Sequence, residues 1–210
     1  MLARLLAPSA YRAMPWKNGQ GTTHEILIER PAPACGSDER DGAGFLWRLS
    51  IAEVAVASPF SLFSGCDRTI LLLQGEGMVL DSGEHGRHVL DRRFVPYAFS
   101  GDWQTGCTLL GGPCRDLNLM VDRRRARASV QPLALRPQAQ PLVAQGDVAL
   151  LFALSGTADV ELDAPHPGYA VPPEHTLVLT GLGPGGAALR VRAEGEGAAA
   201  LYVTLTRASG

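Results

Sequence analysis

Short apolar segments recur along the chain, and within them apolar residues either alternate with polar ones or run without a break. Both patterns are typical of β-strands, and no segment keeps a sustained helical period of about 3.6 residues. Glycine and proline clusters separate the segments, as expected for turns. The pattern predicts an all-β sandwich or barrel with few short helices. The predicted strand segments are Phe45–Val56, Arg68–Leu80, Leu117–Val121, Leu150–Leu162, His175–Thr180 and Ala188–Thr206.

A weak internal repeat relates the two halves of the chain. When Gly75 is aligned with Gly156, the residues around both glycines match as apolar strands. Leu117 then aligns with Leu201 at nearly the same offset. Two halves built on one strand plan would produce this pattern, so we predict two β-barrel-like halves.

The predicted halves comprise residues 1–125 and 126–210, with some strands exchanged between them. Residues 124–140 carry several arginines and prolines, and we interpret them as a solvated linker that joins the halves. Residues 31–44 are polar and glycine-rich, which predicts a surface loop.

The composition supports a packed core and argues against several classes of partner. Of the 210 residues, 46% are apolar and only 19% are charged, so the chain is not expected to be disordered. The formal net charge of −2 gives no general attraction to nucleic acid or to acidic membranes. Arg4 and Pro8 interrupt the apolar N-terminus, and no run reaches the ~18–20 apolar residues that span a bilayer. We therefore expect a cytoplasmic protein with no nucleic-acid or membrane partner.

Neither the cysteines nor the histidines are spaced like metal ligands. Two ligands on one face of a strand need an even spacing, whereas His85 and His88 lie three apart in a predicted hairpin turn. No phosphate loop, dinucleotide fingerprint or nucleophile elbow is present. The sequence therefore predicts neither a metal nor another cofactor. The cysteines form no C-x-x-C pair and are interpreted as reduced thiols: Cys35, Cys66, Cys107 and Cys114.

Three predicted strands carry polar side chains among apolar neighbours. Arg48 and Ser50 share one face of their strand, where small neighbours leave space beside a guanidinium. Arg68 begins a very apolar strand, and an inward guanidinium there would need Asp67 or an anion as its partner. Asn118 lies between apolar residues and needs hydrogen-bond partners if it is buried.

Each of these side chains has a structural interpretation beside the functional one. Arg48 could lie on an exposed face, Arg68 could form a surface salt bridge, and Asn118 could satisfy backbone groups. Together they are also what a carboxylate site needs, because arginine can donate two parallel hydrogen bonds to a carboxylate. Arg68 is the best single candidate for a ligand anchor.

Four motifs are spread over residues 11–125: Met14-Pro-Trp-Lys-Asn-Gly-x-Gly-Thr-Thr, Trp47-Arg-x-Ser-x-Ala, Pro59-Phe-Ser-x-Phe-x-Gly-x-Asp-Arg and Asp116-x-Asn-Leu-Met. Together they resemble the HutD/Ves family. One departure is Gln20, which interrupts the usual run of three glycines and slightly stiffens that loop. Residues 126–210 fit the family only in length and strand character.

The resemblance implies a double cupin, which is two β-barrels in one chain, here without the metal-binding histidine triad of cupins. It also implies a pocket in the N-terminal half for a small carboxylated metabolite of histidine catabolism. Urocanate, formiminoglutamate and formylglutamate are the candidates. Carried over by motif, the ligand-binding residues would be Lys17, Asn18, Thr22, Arg48, Ser50, Arg68 and Asn118.

The sequence leaves three classes of function open. A binding protein that senses or buffers a catabolic intermediate, and so modulates the pathway, is favoured, because no nucleophile, acid–base pair or metal site is evident. A metal-free isomerase or hydrolase would use Lys17, His24, Glu25 or Asp67 as acid or base. A structural or interaction module would have a closed barrel filled by side chains. Whether the chain pairs with a second copy as a homodimer also stays open.

Overall fold

The computed structural model describes residues 1–16, 21–31 and 44–208. These residues form eighteen strands and two three-residue 3-10 helices, Pro8–Ala10 and Gly83–His85, which confirms the all-β class with few short helices. In chain order the strands are β1 (Leu2–Leu6), β2 (Arg12–Pro15), β3 (Gly21–Glu29), β4 (Trp47–Val54), β5 (Cys66–Gln74), β6 (Met78–Asp81), β7 (Arg87–Leu90), β8 (Tyr97–Ser100), β9 (Gly106–Leu109), β10 (Cys114–Asp122), β11 (Ala126–Leu135), β12 (Gln140–Ala144), β13 (Val148–Ser155), β14 (Ala158–Leu162), β15 (Tyr169–Val171), β16 (Thr176–Thr180), β17 (Ala187–Ala193) and β18 (Ala198–Arg207).

Residues 12–126 form one compact unit, here called the N-terminal unit. It contains a six-stranded sheet in the order β2-β3-β4-β10-β5-β8 and a three-stranded sheet in the order β7-β6-β9. Side chains from both sheets share one apolar core, which includes Ile70 and Leu72 of β5 with Met78 and Leu80 of β6. The unit therefore has the layered sheet packing that alternating strands predict.

Residues 1–11 and 127–210 form a second compact unit, the C-terminal unit. Its two sheets have the orders β1-β16-β13-β18-β11 and β12-β17-β14-β15. They enclose a separate core that includes Leu151, Val191 and Tyr202. Strand β1 pairs antiparallel with β16, so the first residues of the chain complete an edge of this unit.

The internal repeat corresponds to equivalent strand pairs in the two units. In the N-terminal unit, Leu71 of β5 lies opposite Leu117 of β10. In the C-terminal unit, Phe152 of β13 lies opposite Leu201 of β18. The alignment that matches the two glycines equates Leu71 with Phe152, so both strand pairs keep the same register. The repeat therefore reflects a shared strand plan.

Several predicted segments contain two strands each, separated by a turn. Residues 68–80, 150–162 and 188–206 are divided in this way, because glycines within them take up the turn positions. The strands that the pattern misses are short, polar or at sheet edges, where alternation is weak. They are β1, β2, β7, β8, β9, β11, β12 and β15, and β3, whose first residues are polar, also lies outside the six segments.

The interpretation of residues 124–140 as a linker is wrong over most of its length. Residues 126–135 form β11, which pairs at one edge of the five-stranded sheet. Most side chains of β11 are exposed, and only Ala126, Leu133 and Leu135 are buried. An edge strand with so few buried residues lacks the apolar pattern by which strands are recognised in a sequence.

Two further sequence predictions concern loops and thiols. The predicted loop at residues 31–44 lies outside the described residues except at its two ends. Cys66, Cys107 and Cys114 are buried free thiols, and Cys35 lies outside the described residues. In the part of the chain that the structure describes, no helix is long and apolar enough to cross a membrane.

Candidate functional site

A cavity of about 600 Å³ lies in the N-terminal unit. Strands β2, β3, β4, β5 and β10 form its wall together with the loop between β4 and β5. A cavity of this size accommodates a small metabolite. Its lining residues are Met14, Pro15, Trp16, Thr23, Arg48, Ser50, Ala52, Val54, Ser58, Pro59, Phe60, Ser61, Phe63, Arg68, Asp116, Asn118 and Met120.

Strand periodicity places the polar residues of the wall together. Alternate residues of β4 from 48 to 54, and of β10 from 116 to 120, line the cavity, as the period of two predicts. The two strands are antiparallel neighbours, and Asn118 lies directly opposite Ser50. Arg68 joins them from β5, which pairs with β10 on its other side.

Arg68 is a buried cation whose hydrogen-bond partners are neutral. Its side chain is only 5% exposed. Nε and Nη2 donate to Asn118 Oδ1 at 3.4 and 3.2 Å, and Nη1 donates to the Ser61 carbonyl at 3.5 Å. Among the described residues, no carboxylate lies within ion-pair distance of Arg68. Long bonds to neutral oxygens leave much of the charge of the guanidinium uncompensated.

Three phenylalanine rings surround the Arg68 guanidinium. The ring centroids of Phe60, Phe63 and Phe99 lie 5.1, 5.5 and 4.8 Å from its central carbon. Contacts of this kind stabilise a cation by about 0.5–2 kcal/mol each. Burial lowers the pKa of Arg68 to about 10, so the group remains cationic at neutral pH.

Asp116 is the second charged group in this part of the wall. Its side chain is fully buried, and Oδ1 accepts a 3.1 Å hydrogen bond from Asn118 Nδ2. Within the described ranges, Oδ2 has no hydrogen-bond partner. Burial raises the pKa of Asp116 to about 6, while the Asn118 hydrogen bond and the charge of Arg68 act in the opposite direction. The carboxyl group therefore titrates close to neutral pH.

Arg48 also lines the cavity, but it already has a carboxylate partner. Its Nε donates to Glu25 Oε2 at 3.0 Å, and the Arg48 side chain is 14% exposed. Glu25 forms a second ion pair with Arg12, whose Nη2 lies 3.3 Å from Glu25 Oε1. Arg48 is therefore a less available anion-binding group than Arg68.

The structure brings four of the predicted site residues together and separates a fifth from them. Arg48, Ser50, Arg68 and Asn118 line one cavity. Thr22 does not line it, because the neighbouring Thr23 has the inward position on β3. There Thr23 Oγ1 accepts a 2.9 Å hydrogen bond from Trp16 Nε1. The remaining two predicted residues, Lys17 and Asn18, lie outside the described residues, as does Gln20.

Of the two partners considered for an inward Arg68, Asp67 or an anion, Asp67 does not pair with it. Adjacent residues of a strand point to opposite faces, and Asp67 is 66% exposed on the side away from Arg68. Asp67 Oδ1 instead pairs with Arg123 Nε at 2.8 Å. Arg123 also pairs with Asp102 and donates to Ser100 Oγ at 2.8 Å.

Two other acid–base candidates, Glu25 and His24, also lie within ion-pair distance of other side chains. Glu25 holds Arg48 and Arg12, as described above. His24 lies 3.3 Å from Glu53, and neither side chain lines the cavity. Among the described residues, the carboxyl group on the cavity wall is that of Asp116.

Sequence reasoning missed several wall residues whose signal was present in the motifs. Asp116, Phe60 and Phe63 all stand in the quoted motifs, as do Met14 and Trp16. The motifs marked them without assigning a role, because an isolated apolar or aromatic residue is more often part of a core. The structure shows that all four motifs contribute to one cavity.

No group of three or more His, Cys, Asp or Glu side chains is arranged to hold a metal ion among the residues that the structure describes. The expectation that the protein works without a metal stays a prediction.

Comparison with known proteins relates most of the chain to one family. The model of the HutD family matches residues 8–201. An uncharacterized 21.2 kDa protein in the hutC 3' region of Pseudomonas putida is 40% identical over 161 residues, covering 76% of this chain and 77% of that protein. Protein Ves of Citrobacter koseri is 40% identical over 124 residues, covering 57% of this chain and 60% of that protein.

Solved structures give the same relationship over the full length. A conserved protein of unknown function from Pseudomonas aeruginosa PAO1 superposes with a TM-score of 0.83 and 35% identity, covering 99% of this chain and 100% of that chain. HutD from Pseudomonas fluorescens SBW25, described as a formate condition, superposes with a TM-score of 0.79 and 29% identity, also covering 99% and 100%.

More distant structures identify the fold. A single-substitution variant of oxalate decarboxylase from Bacillus subtilis has a TM-score of 0.62 at 8% identity, over 95% of this chain and 76% of that one. At this identity the likeness concerns the fold alone. The expected double cupin is therefore confirmed.

Proposed function

The chain belongs to the HutD family, and on that premise we propose that the cavity of its N-terminal unit binds a small carboxylated metabolite. The observation that supports the proposal is Arg68. A buried guanidinium on a cavity wall, held by neutral oxygens and aromatic rings, is a site that an anion would complete.

A carboxylate is the anion that fits the Arg68 environment best. A planar guanidinium matches the two oxygens of a carboxylate, and the surrounding rings keep water from weakening that interaction. Ser50, Ser58 and Thr23 add hydroxyl groups to the wall for other polar parts of a ligand. The buried Ser58 Oγ has no hydrogen-bond partner in the described part of the chain.

The family context supports the acids of histidine catabolism as candidate ligands. One relative carries hutC in its name, and one similar structure is a HutD protein described as a formate condition. Urocanate, formiminoglutamate and formylglutamate are small acids of that pathway, and the cavity of about 600 Å³ has room for each of them. We propose that the protein binds one of them without a metal and so modulates the pathway.

Binding of these acids is tested with purified protein by thermal shift and by intrinsic fluorescence. Trp16 lines the cavity and serves as a local fluorescent reporter. At a free acid concentration of 100 times Kd, binding stabilises the fold by about 2.7 kcal/mol. We expect at least one of the three acids to raise the melting temperature of the wild-type protein.

Substitution of Arg68 locates the site. Arg68→Gln removes the positive charge, whereas Arg68→Lys keeps the charge but lacks the planar pair of donors. We expect the affinity for the acid to fall at least about 30-fold in Arg68→Gln, because leaving the ligand carboxylate without its charged partner costs about 2 kcal/mol or more. Arg190→Gln is the matched control, because Arg190 is exposed on β17 and pairs with Glu161. Equal affinity in Arg68→Gln and in the control would contradict the proposal, and so would no binding of any of the acids to the folded wild type.

An enzyme acting on such an acid is the second candidate, and Asp116 is the observation that favours it. A buried carboxyl group with a pKa of about 6 beside a cationic anchor has the properties of a general acid or base. An isomerase or hydrolase would convert the bound acid at a rate that Asp116→Asn abolishes. A bound acid that is recovered unchanged after prolonged incubation would eliminate this candidate.

A further inference from the structure

The polar wall of the cavity contains a chain of three side chains on neighbouring strands. Arg68 donates to Asn118 Oδ1, and Asn118 Nδ2 donates to Asp116 Oδ1. Asn118 therefore uses both ends of its amide, and the amide orientation links the guanidinium to the carboxyl group. The other carboxyl oxygen, Asp116 Oδ2, is buried and has no hydrogen-bond partner within the described ranges.

Among charged groups, the negative charge of Asp116 is compensated mainly by Arg68. Asp116 faces Ala52 of β4 and Leu72 of β5 across the ladder, so neither neighbour supplies a charge. Among the described residues, the titratable groups that interact with it electrostatically are Arg68 and the thiol of Cys107 on β9. Burial raises the pKa of Cys107 to about 12, which keeps that thiol neutral.

Arg48, the second cation of the cavity wall, compensates little of the charge of Asp116. Arg48 acts on Arg68 as a like charge, and its own guanidinium pairs with Glu25, which also binds Arg12. In the part of the chain that the structure describes, the buried guanidinium of Arg68 therefore lies near the buried carboxyl group of Asp116 without forming an ion pair with it.

A carboxylate that binds Arg68 would place two anions beside the same buried cation. Two like charges in a low-dielectric site do not both stay ionised, and the group that is harder to ionise takes up a proton. The ligand carboxylate would be held by the donors of Arg68, whereas Asp116 is fully buried and accepts only one hydrogen bond. Asp116 is consequently the group that protonates, and Oδ2 has a free position for the proton.

We propose that Asp116 takes up one proton when a small acid binds Arg68, so that proton binding at Asp116 controls the affinity of the cavity for carboxylates. This inference rests on the proposed binding function. Asp116 acts as a positioning residue, through Asn118 and through its charge. Because its pKa in the ligand-free protein is about 6, the effect falls in the neutral pH range.

Calorimetric titration with formylglutamate provides the test, because both carboxyl groups of this acid titrate below about pH 5 and add no proton change of their own. Titrations at about pH 7 in two buffers of different ionisation enthalpy count the protons taken up. We expect close to one proton per acid bound, and a Kd that rises up to about tenfold per pH unit between about pH 6 and pH 8.

Asp116→Asn separates a proton-linked role from a merely structural one. The amide mimics the protonated carboxyl group, so this variant should take up no proton, show a pH-independent Kd, and bind at least about tenfold more tightly than wild type at about pH 8. Asp163→Asn makes the same chemical change at an exposed position of the C-terminal unit and should behave as wild type. A variant that loses affinity equally at every pH would show a structural role and overturn the inference.

Failure of this inference is distinguishable from failure of the proposed function. If wild type binds formylglutamate with no proton uptake and an unchanged Kd across this pH range, the linkage through Asp116 is wrong while the binding function stands. If none of the three pathway acids binds at any pH, both fail. Should Asp116→Asn not fold, the two-buffer experiment on wild type still decides between these outcomes.

Discussion

At the scale of single residues, the described wall of the cavity has two ionisable groups in surroundings that disfavour their charge. Burial lowers the pKa of Arg68 to about 10 and raises that of Asp116 to about 6. Both groups belong to the cavity wall, and neither forms a direct ion pair in the described part of the chain. Unusual pKa values that coincide with a cavity are typical of functional sites, whereas structural charges are usually paired.

The raised pKa of Asp116 predicts a pH-dependent loss of stability in the ligand-free protein. Because the folded state binds this proton more tightly than the unfolded state, the contribution is favourable at low pH and is lost as pH rises from about 4 through about 6. The loss is on the order of 3 kcal/mol at higher pH. We expect Asp116→Asn to lack this loss, and chemical denaturation across that pH range measures it.

The comparison is made against Asp163→Asn, whose exposed carboxyl group should leave the wild-type pH profile intact. Parallel profiles for wild type and Asp116→Asn would contradict a raised pKa at this position.

At the scale of elements, turns at glycines set where each long apolar segment breaks into two strands. Gly75 has a φ of 99°, in the left-handed region that favours glycine. A Cβ atom there would lie 2.8 Å from both Cys114 Sγ and the Pro113 carbonyl, so the backbone at the end of β5 approaches the start of β10 closely. The turn therefore helps to position both strands that carry Arg68 and Asp116.

We expect Gly75→Ala to destabilise the protein by about 2 kcal/mol or more, since it combines a strained φ with a clash against backbone and a buried thiol. Gly83→Ala is the control, because Gly83 has a φ of 60° but nothing within 4 Å of its added Cβ. Its cost should be limited to about 1–2 kcal/mol from the conformation alone. If urea denaturation shows that the two variants lose the same free energy of unfolding, the close approach at Gly75 does not contribute to stability.

At the scale of the whole molecule, each compact unit has its own core, and the described cavity belongs to one of them. All of its lining residues fall within residues 12–126. The three tryptophans of the chain, Trp16, Trp47 and Trp103, also fall in this range, so intrinsic fluorescence reports on the N-terminal unit. The polar cavity wall is therefore formed by the N-terminal copy of the strand arrangement that the two units share.

Ligand binding should consequently protect the N-terminal unit against hydrogen exchange. With a saturating pathway acid, we expect slower exchange in peptides from β4, β5 and β10, because a bound acid links these three strands through their side chains. Mass spectrometry of the exchanged peptides measures this, and Arg68→Gln should show no change on adding the acid. Protection confined to residues 127–208 would place the binding site elsewhere.

Much of the fold was predictable because strand periodicity is a local property. The face assignment on β4 follows from a period of two, and it correctly grouped Arg48 with Ser50. The repeat that aligns Leu117 with Leu201 indicated two similar halves for the same reason. Strand β11 was missed because an exposed edge strand does not show the alternation of buried and polar residues.

The residue types of the candidate site, the order of its motifs and the face that each side chain occupies were determined by the sequence alone. Only the tertiary structure decided which side chains meet. It paired Asp67 with Arg123 and left Arg68 to Asn118, since neighbours on a strand point apart while residues 50 positions away become adjacent through strand pairing. It also decided that Asp116 is buried with one oxygen unpartnered among the described residues, because burial and the pKa that follows from it depend on every element packed around a group.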